Sequence, residues 1–515
     1  MIWLLLAVLT LAYVGFFGAN SLTRFKSYSP DSMNYVDVAR NVLAGRGLVQ
    51  SAIGYNHPRF LGTGQWPEPF VAQPPLYPLA IAVLGKIGIE PANGSLILPV
   101  MALAGIFFFA GRIAFRSGGA AAAALTLAAL AWYFPITDCC RRAWSDSLGA
   151  LAVIAGLSLA MQIRACENIS NCRLILLGVI CGIAFATRYA LIIFTPFIGL
   201  ILFVAIRKEP RVLAKSLGLW VAGVLPLPLL IVMHNKFSTC CLLPPHNPSS
   251  LSAGEILRSA ADVIVNYTDL LGIHGLYIGL VLLLFAIFVL RRASPKSSSD
   301  RGVAWLVAWA GIYFAFIIWQ RWRIHFDDIT PRLLLPALVP LLLALTIWIG
   351  SRLSSAAKNF TPWFAICVVA LAACREVLIA QNKAPVDLAQ RIDYSPRLVI
   401  VRDRLEPEDL VIGNDPLDVA FYLQRRNIIS FSPHPYSDYP SYSPLMKFLD
   451  AHTGNYKRAF IVIRDFSRGD DELLRGNFGP FIFDLLRGRE ANYPRIHRVG
   501  LFGDTFVFKI DKLIR

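Results

Sequence analysis

Apolar runs long enough to cross a bilayer recur along most of this chain, and no other feature limits its fold so strongly. They fall near residues 2–19, 95–115, 118–135, 146–163, 173–187, 189–206, 216–233, 271–290, 303–320, 332–350 and 361–380. A helix needs about 20 apolar residues to span the hydrocarbon core, where the backbone must satisfy its own hydrogen bonds. The runs therefore predict a polytopic α-helical membrane protein with about eleven transmembrane helices. Only 16% of the residues are charged, whereas about 25% is usual in soluble domains. The formal net charge of +16 is not a nucleic-acid signature. Most of the excess Lys and Arg lies in short loops between apolar runs, where it sets topology, and there is no aromatic-basic RNA motif or basic tail. The first run, 1–17, has no basic residues before it and no convincing cleavage site, so it reads as a retained span.

Alternate loops hold Arg112 and Arg116, then Arg164 and Arg173, then Arg207 to Lys215, Arg291 to Arg301, and finally Arg352 and Lys358. All of them fall on one side if the N-terminus is cytoplasmic, as the positive-inside rule requires. Loops 20–94, 136–145, 234–270, 321–331 and everything after 380 then face outward. Residues 76–92 are too short to span comfortably and would invert every later loop if they did. They are expected to form a juxtamembrane helix at the outer surface.

Charge rises after Lys383, and β-like runs appear at 410–413, 428–431, 459–464 and 499–510, with helix-like segments at 416–425, 443–451 and 471–487. Two domains follow: a membrane module over 1–380, including the first outer loop 20–94, and a small outer α/β domain over 381–515. Cys139, Cys140, Cys240 and Cys241 lie in outer loops, where a loop-to-loop disulfide competes with free thiols. No cysteine spacing resembles a zinc site.

The candidates for chemistry cluster on the outer side. Ser29 is placed to cap a helix with Pro30 at its first position and Asp31 in its first turn, where a carboxylate also complements the helix dipole. The same loop continues through Tyr35, Ala39, Gly45, Gly47 and the stretch Pro74-Pro75-Leu76-Tyr77. Later come Arg142-Ala143-Trp144-Ser145-Asp146 at the mouth of a span and Thr187-Arg188-Tyr189 at a helix break. Pro331-Arg332-Leu333-Leu334-Leu335-Pro336 and Asn414-Asp415-Pro416 complete the series.

In the order of these motifs the chain resembles the GT-C glycosyltransferases, over nearly its whole length. It is most similar to bacterial relatives of the protein O-mannosyltransferases and of the lipid A aminoarabinose transferases. The acidic pair of the mannosyltransferases is absent, because Ser32 follows Asp31, and Leu333 stands where relatives carry an aromatic residue. The resemblance implies a polyprenyl-phosphate sugar donor and a hydroxyl acceptor that is a glycan, a lipid or a protein. It also implies a bacterial inner membrane and no required cofactor.

Within that reading Asp31 is the candidate general base, since a carboxylate in hydrogen-bond reach can take the acceptor proton. Arg142, Arg188, Arg321, Arg323 and Arg332 are candidates for the donor phosphate, which the guanidinium fork suits. Tyr35, Tyr55, His57, Glu68, Tyr77 and Asp146 are groove candidates, alongside the aromatic side chains of Tyr28, Trp66 and Phe70. His325, Asp327 and Asp328 form a loose match to an oxygen-rich divalent-metal site, against which stands a salt-bridge network with the neighbouring arginines. Two other functions remain open at this point. A transporter or flippase of lipid-linked sugar would show repeats and mid-membrane charges, and a scaffold would tolerate loss of Asp31.

Overall fold

The computed structural model describes residues 2–23, 28–53, 68–71, 73–165, 170–207, 209–239, 242, 249, 251–252, 254–256, 258, 298–324, 330–353, 355–392, 405–406, 408–413, 427–430, 445–446, 449–450, 457–464, 481, 484–502 and 505–511. They divide into two compact units. The first holds 1–27, 73–77 and 95–384, and the second holds 28–72, 78–94 and 385–515.

The first unit is helical. Helix α1 is Ile2–Thr23. In the second unit α2 is Pro30–Leu43, and α3, Leu76–Lys86, begins in one unit and ends in the other. The chain goes on through α4 (Pro91–Trp132), α5 (Phe134–Arg141), α6 (Asp146–Ala165) and α7 (Asn171–Thr187). A 3-10 turn over Tyr189–Ile193 leads into α8 (Phe194–Ile206), followed by α9 (Pro210–Val224) and α10 (Pro226–Thr239). After residues outside the described set come α11 (Ser298–Arg323), α12 (Pro331–Arg352) and α13 (Ser355–Ile392).

Among the described residues, seven helices are long and apolar enough to span a membrane, or eight if the bent pair α9–α10 is one span. That pair is bent by 42° at a break before Pro226, which cannot donate a backbone hydrogen bond. The expected spans 95–115 and 118–135 run together in α4 and are separated at Gly119, whose φ of 77° only glycine adopts without strain. Helix α7 falls short of a full span at 17 residues, and the expected span at 271–290 lies outside the described residues. Lipid-facing and inward-facing positions alternate along the helices: on α1, Leu4 and Leu11 are exposed while Leu6, Tyr13 and Phe17 are buried.

Close helix approach depends on small residues. A Cβ added to Gly178 on α7 would lie 2.1 Å from the Trp220 carbonyl oxygen, and one on Gly223 of α9 would lie 2.3 Å from that of Ile175. Backbone packs on backbone here, so neither helix can yield locally. Gly178→Ala should force α7 and α9 apart at a cost of about 1–3 kcal/mol. Thermal unfolding in matched lipid checks this against Gly218→Ala, a position with nothing within 4 Å.

Proline placement in α12 has its own compensation. Pro340 has no N–H to give the carbonyl four residues back, at Pro336. The buried Trp309 indole of α11 donates to that carbonyl at 2.8 Å. This bond helps hold α11 against α12, whose first turn carries Arg332.

The second unit contains a six-stranded sheet in the order β2 (Ala52–Ile53), β5 (Asn427–Ser430), β4 (Leu410–Gly413), β6 (Ala459–Arg464), β8 (Thr505–Ile510) and β7 (Ile496–Phe502). Strands β4 (Leu410–Gly413), β5 (Asn427–Ser430) and β6 (Ala459–Arg464) are mutually parallel. The run expected as one strand at 499–510 is instead a hairpin, β7 (Ile496–Phe502) and β8 (Thr505–Ile510), antiparallel to each other. The intervening Gly503-Asp504 pair is a turn signal. The first outer loop, grouped by its sequence position with the membrane helices, falls mostly in this unit. Its strand β2 (Ala52–Ile53) pairs parallel with β5, while β1 (Val49–Gln50) pairs with β3 (Glu68–Pro69). Backbone pairing across so long a sequence separation is invisible to local pattern. The expected helix at 416–425 lies outside the described residues, while 445–446, 449–450 and 484–486 are helical.

Candidate functional site

Four helix ends of the first unit supply charged side chains to one place. Asp146 is the first residue of α6 and is fully buried. Arg188 ends α7, where its extended backbone (φ −153°, ψ 123°) breaks the helix. Its guanidinium pairs with Asp146. Arg332, in the first turn of α12, donates from Nε to the other Asp146 oxygen at 2.9 Å. A cation at a helix N-terminus opposes the helix dipole by about 0.3–1 kcal/mol. The buried carboxylate opposite offsets that term.

Arg142 follows α5 and pairs with Asp138 one turn earlier, at 3.4 Å. Both Arg142 and Arg332 sit over the Trp144 ring, at 5.0 and 4.6 Å from its centroid. The aromatic face thus holds two guanidiniums near each other that would otherwise repel. Among the described residues, three arginines meet two aspartates in this group. Beside them lies a cavity of about 280 Å³, lined by Asp138, Cys139, Arg142, Trp144, Thr330, Pro331, Arg332 and Leu333. Its walls combine guanidinium with apolar surface, which suits an anion carried on a hydrophobic chain.

Of the expected phosphate ligands, Arg142, Arg188 and Arg332 are thus gathered into one cluster. Arg188 and Arg332 are held there by Asp146, an expected groove residue that is itself enclosed. Arg321 is buried in the last turn of α11 and Arg323 is exposed there, and neither lines the cavity. Cys139 and Cys140 are free buried thiols, the reading that competed with a loop-to-loop disulfide. Cys240 and Cys241 lie outside the described residues, as do Tyr55, His57, Trp66, His325, Asp327 and Asp328. Among the described residues no group of three or more His, Cys, Asp or Glu side chains could hold a metal. Asp138 and the stacking role of Trp144 escaped the sequence reading, although the i, i+4 spacing of Asp138 and Arg142 was a legible signal.

The second unit holds the first-loop candidates. Ser29 caps α2 as expected, forming a reciprocal capping box with Ser32, and Pro30 and Asp31 follow in the first turn. Asp31 is half-buried. Gly45 and Gly47, with φ of 75° and 84°, end the helix. Tyr35 is buried and meets Phe70 edge-on at 6.4 Å. Tyr28 donates to the Ala92 carbonyl at 3.2 Å. The backbone of Glu68 pairs with Gln50 in β3. Tyr77, in the first unit, is buried and donates to the Ser95 carbonyl.

Asp37 is an unforeseen feature of this helix. It is buried and accepts from the Ser51 backbone N–H at 2.6 Å and the Ser51 hydroxyl at 2.8 Å. Burial outweighs those hydrogen bonds and lifts its carboxyl from 3.8 to about 6. A carboxyl raised in the folded state binds more protons there than when unfolded, so stability falls as pH rises through that window. The folded protein should lose on the order of 3 kcal/mol between pH 4 and 6 from this group. Asp37→Asn removes that loss. Its unfolding temperature, minus that of wild type, should rise from pH 4 to 6 and level off above.

No protein-family model matches this chain, and no curated protein sequence matches it. Solved structures do. ArnT from Cupriavidus metallidurans bound to undecaprenyl phosphate matches with a TM-score of 0.66 at 14% identity, covering 98% of this chain and 97% of that one. The chain has a GT-C fold. ArnT in the apo state matches at 0.64 over the same extents and at the same identity. The oligosaccharyltransferase of Archaeoglobus fulgidus, in complex with Zn and sulfate, matches at 0.51 and 12% identity, over 89% of this chain and 68% of that one. The GT-C helices account for the apolar runs, and the chain is a polytopic helical membrane protein.

Proposed function

We propose that this chain is an integral-membrane glycosyltransferase. It transfers a sugar from a polyprenyl-phosphate donor to a hydroxyl acceptor on the extracytoplasmic face, in a bacterial inner membrane with the N-terminus cytoplasmic. The observation that carries this reading is the cavity lined by Arg142, Arg332 and Trp144 at converging helix ends in a chain of GT-C fold. The crystal structure of the similar ArnT with undecaprenyl phosphate supports the donor class.

The chemistry is a single displacement. The acceptor oxygen bonds to the anomeric carbon as the bond from that carbon to the phosphate oxygen breaks, inverting the anomer. The acceptor proton passes to a carboxylate, for which Asp31 is the candidate. The departing phosphate gains a negative charge, which Arg142 and Arg332 stabilise at the cavity wall. Asp146 orients Arg188 and Arg332 and does not serve as the base, since both its oxygens are engaged by arginine.

The test is turnover of a panel of radiolabelled polyprenyl-phosphate sugars by the purified protein in lipid, with a membrane extract as acceptor. Consumption of one donor with sugar appearing on the extract supports the reading. Donor crossing the bilayer without transfer sinks it in favour of transport. Arg142→Ala should raise the donor KM roughly tenfold, the scale of one charge-assisted phosphate contact. Its unfolding temperature should stay near that of wild type, because the Arg142 side chain is 40% exposed and its ion pair contributes little to stability.

A further inference from the structure

A second charged cluster lies in the same unit. Glu376 on α13 is fully buried and pairs with Arg141, the last residue of α5. Its neighbour Arg375, also buried, donates to the carbonyl oxygens of Trp132 and Ala131. Those two carbonyls belong to the last turn of α4, which has no following turn to donate to them. Tyr13 of α1 donates to the Ala131 oxygen as well, at 3.2 Å. Arg375 stacks over Trp132 at 5.2 Å, and Arg141 over Phe17 at 5.4 Å.

Charges near the end of an apolar span are costly, and a buried ion pair is weak evidence for stability. The arrangement is informative for what it fixes. Two adjacent residues of α13 grip the chain just before α5 and the residue that closes α5. Between those grips lie Asp138 and Cys139, and Arg142 follows directly, all three on the cavity wall. Ile136, Cys139 and Cys140 of this eight-residue helix pack into the apolar core, and the grip of α13 adds polar fixed points just before it and at its last residue.

We propose that Arg375 and Glu376 are positioning residues that set α5, and through it Arg142, at the donor-phosphate cavity. The placement of α5 stands on geometry alone. Its purpose in donor binding rests on the glycosyltransferase reading.

The experiment measures alkylation of individual cysteines by iodoacetamide in full-length protein in nanodiscs, read by mass spectrometry. Wild type is compared with Glu376→Gln and with Arg375→Met. Cys139 on α5 and Cys181 on α7 are both buried in the folded protein. Either variant should speed modification of Cys139 roughly tenfold while leaving Cys181 protected, the pattern of a local opening. Equal acceleration at both cysteines would mean general loosening and would overturn the proposal, as would no acceleration at Cys139. In a second arm, binding of undecaprenyl phosphate should weaken in both variants relative to wild type. If wild type itself does not bind that lipid while Cys139 is selectively exposed in the variants, the donor assignment fails and the positioning of α5 stands.

Discussion

Asp146→Asn should destabilise the membrane unit by about 3 kcal/mol, at the lower end of the range for removing one partner of a buried ion pair. The carboxylate is fully buried and serves two guanidiniums, from α7 and α12. Asparagine keeps the shape and removes the charge, leaving Arg188 and Arg332 as close cations without their shared anion. Their side chains are 16% and 19% exposed, so each can turn partly toward solvent, and that limits the loss. Arg188→Met should cost less, because Asp146 keeps Arg332. Thermal unfolding in nanodiscs orders the three proteins. If Asp146→Asn unfolds with wild type, the cluster is not held by this carboxylate. Added undecaprenyl phosphate should raise the unfolding temperature of the variant more than that of wild type, since an anion then offsets the charge that was lost.

Asp31→Asn is expected to lower turnover roughly a hundredfold to ten-thousandfold, the usual range for losing a general base. Donor binding should be unchanged. The term between the carboxylate and the N-terminus of α2 that the variant loses is worth about 0.3–1 kcal/mol, small beside the expected loss of rate. The capping box of Ser29 and Ser32 remains. The separation of effects is the test: a rate loss with intact binding and folding assigns the base. Equal turnover in wild type and variant would leave Asp31 as a helix-end charge only. The base would then be sought at Glu68, since Asp146 is already paired with two arginines.

The helices were legible because hydrocarbon imposes its requirement locally: each span must be apolar over its own length, whatever its neighbours are. The caps of α2, the glycines that end it and strands β4 to β6 were readable for the same reason. Arg142, Arg188 and Arg332 could be marked as helix-end cations from loop position and helix breaks. Their meeting at Asp146 could not, because residues 146, 188 and 332 are joined only by how four helix ends converge. The sequence suggested cations awaiting a phosphate, and the fold supplied a carboxylate that already holds two of them.

By itself, the sequence determined that this chain is a bundle of membrane helices with a C-terminal α/β domain, its charge gathered at helix ends. Tertiary structure decided which charges meet. It seated Asp146 between Arg188 and Arg332, drew α13 onto α5 through Arg375 and Glu376, and paired β2 of the first loop with β5. Hydrophobic span and turn chemistry act within a few residues and leave a local signature. Ion pairing and strand pairing act through space and leave none.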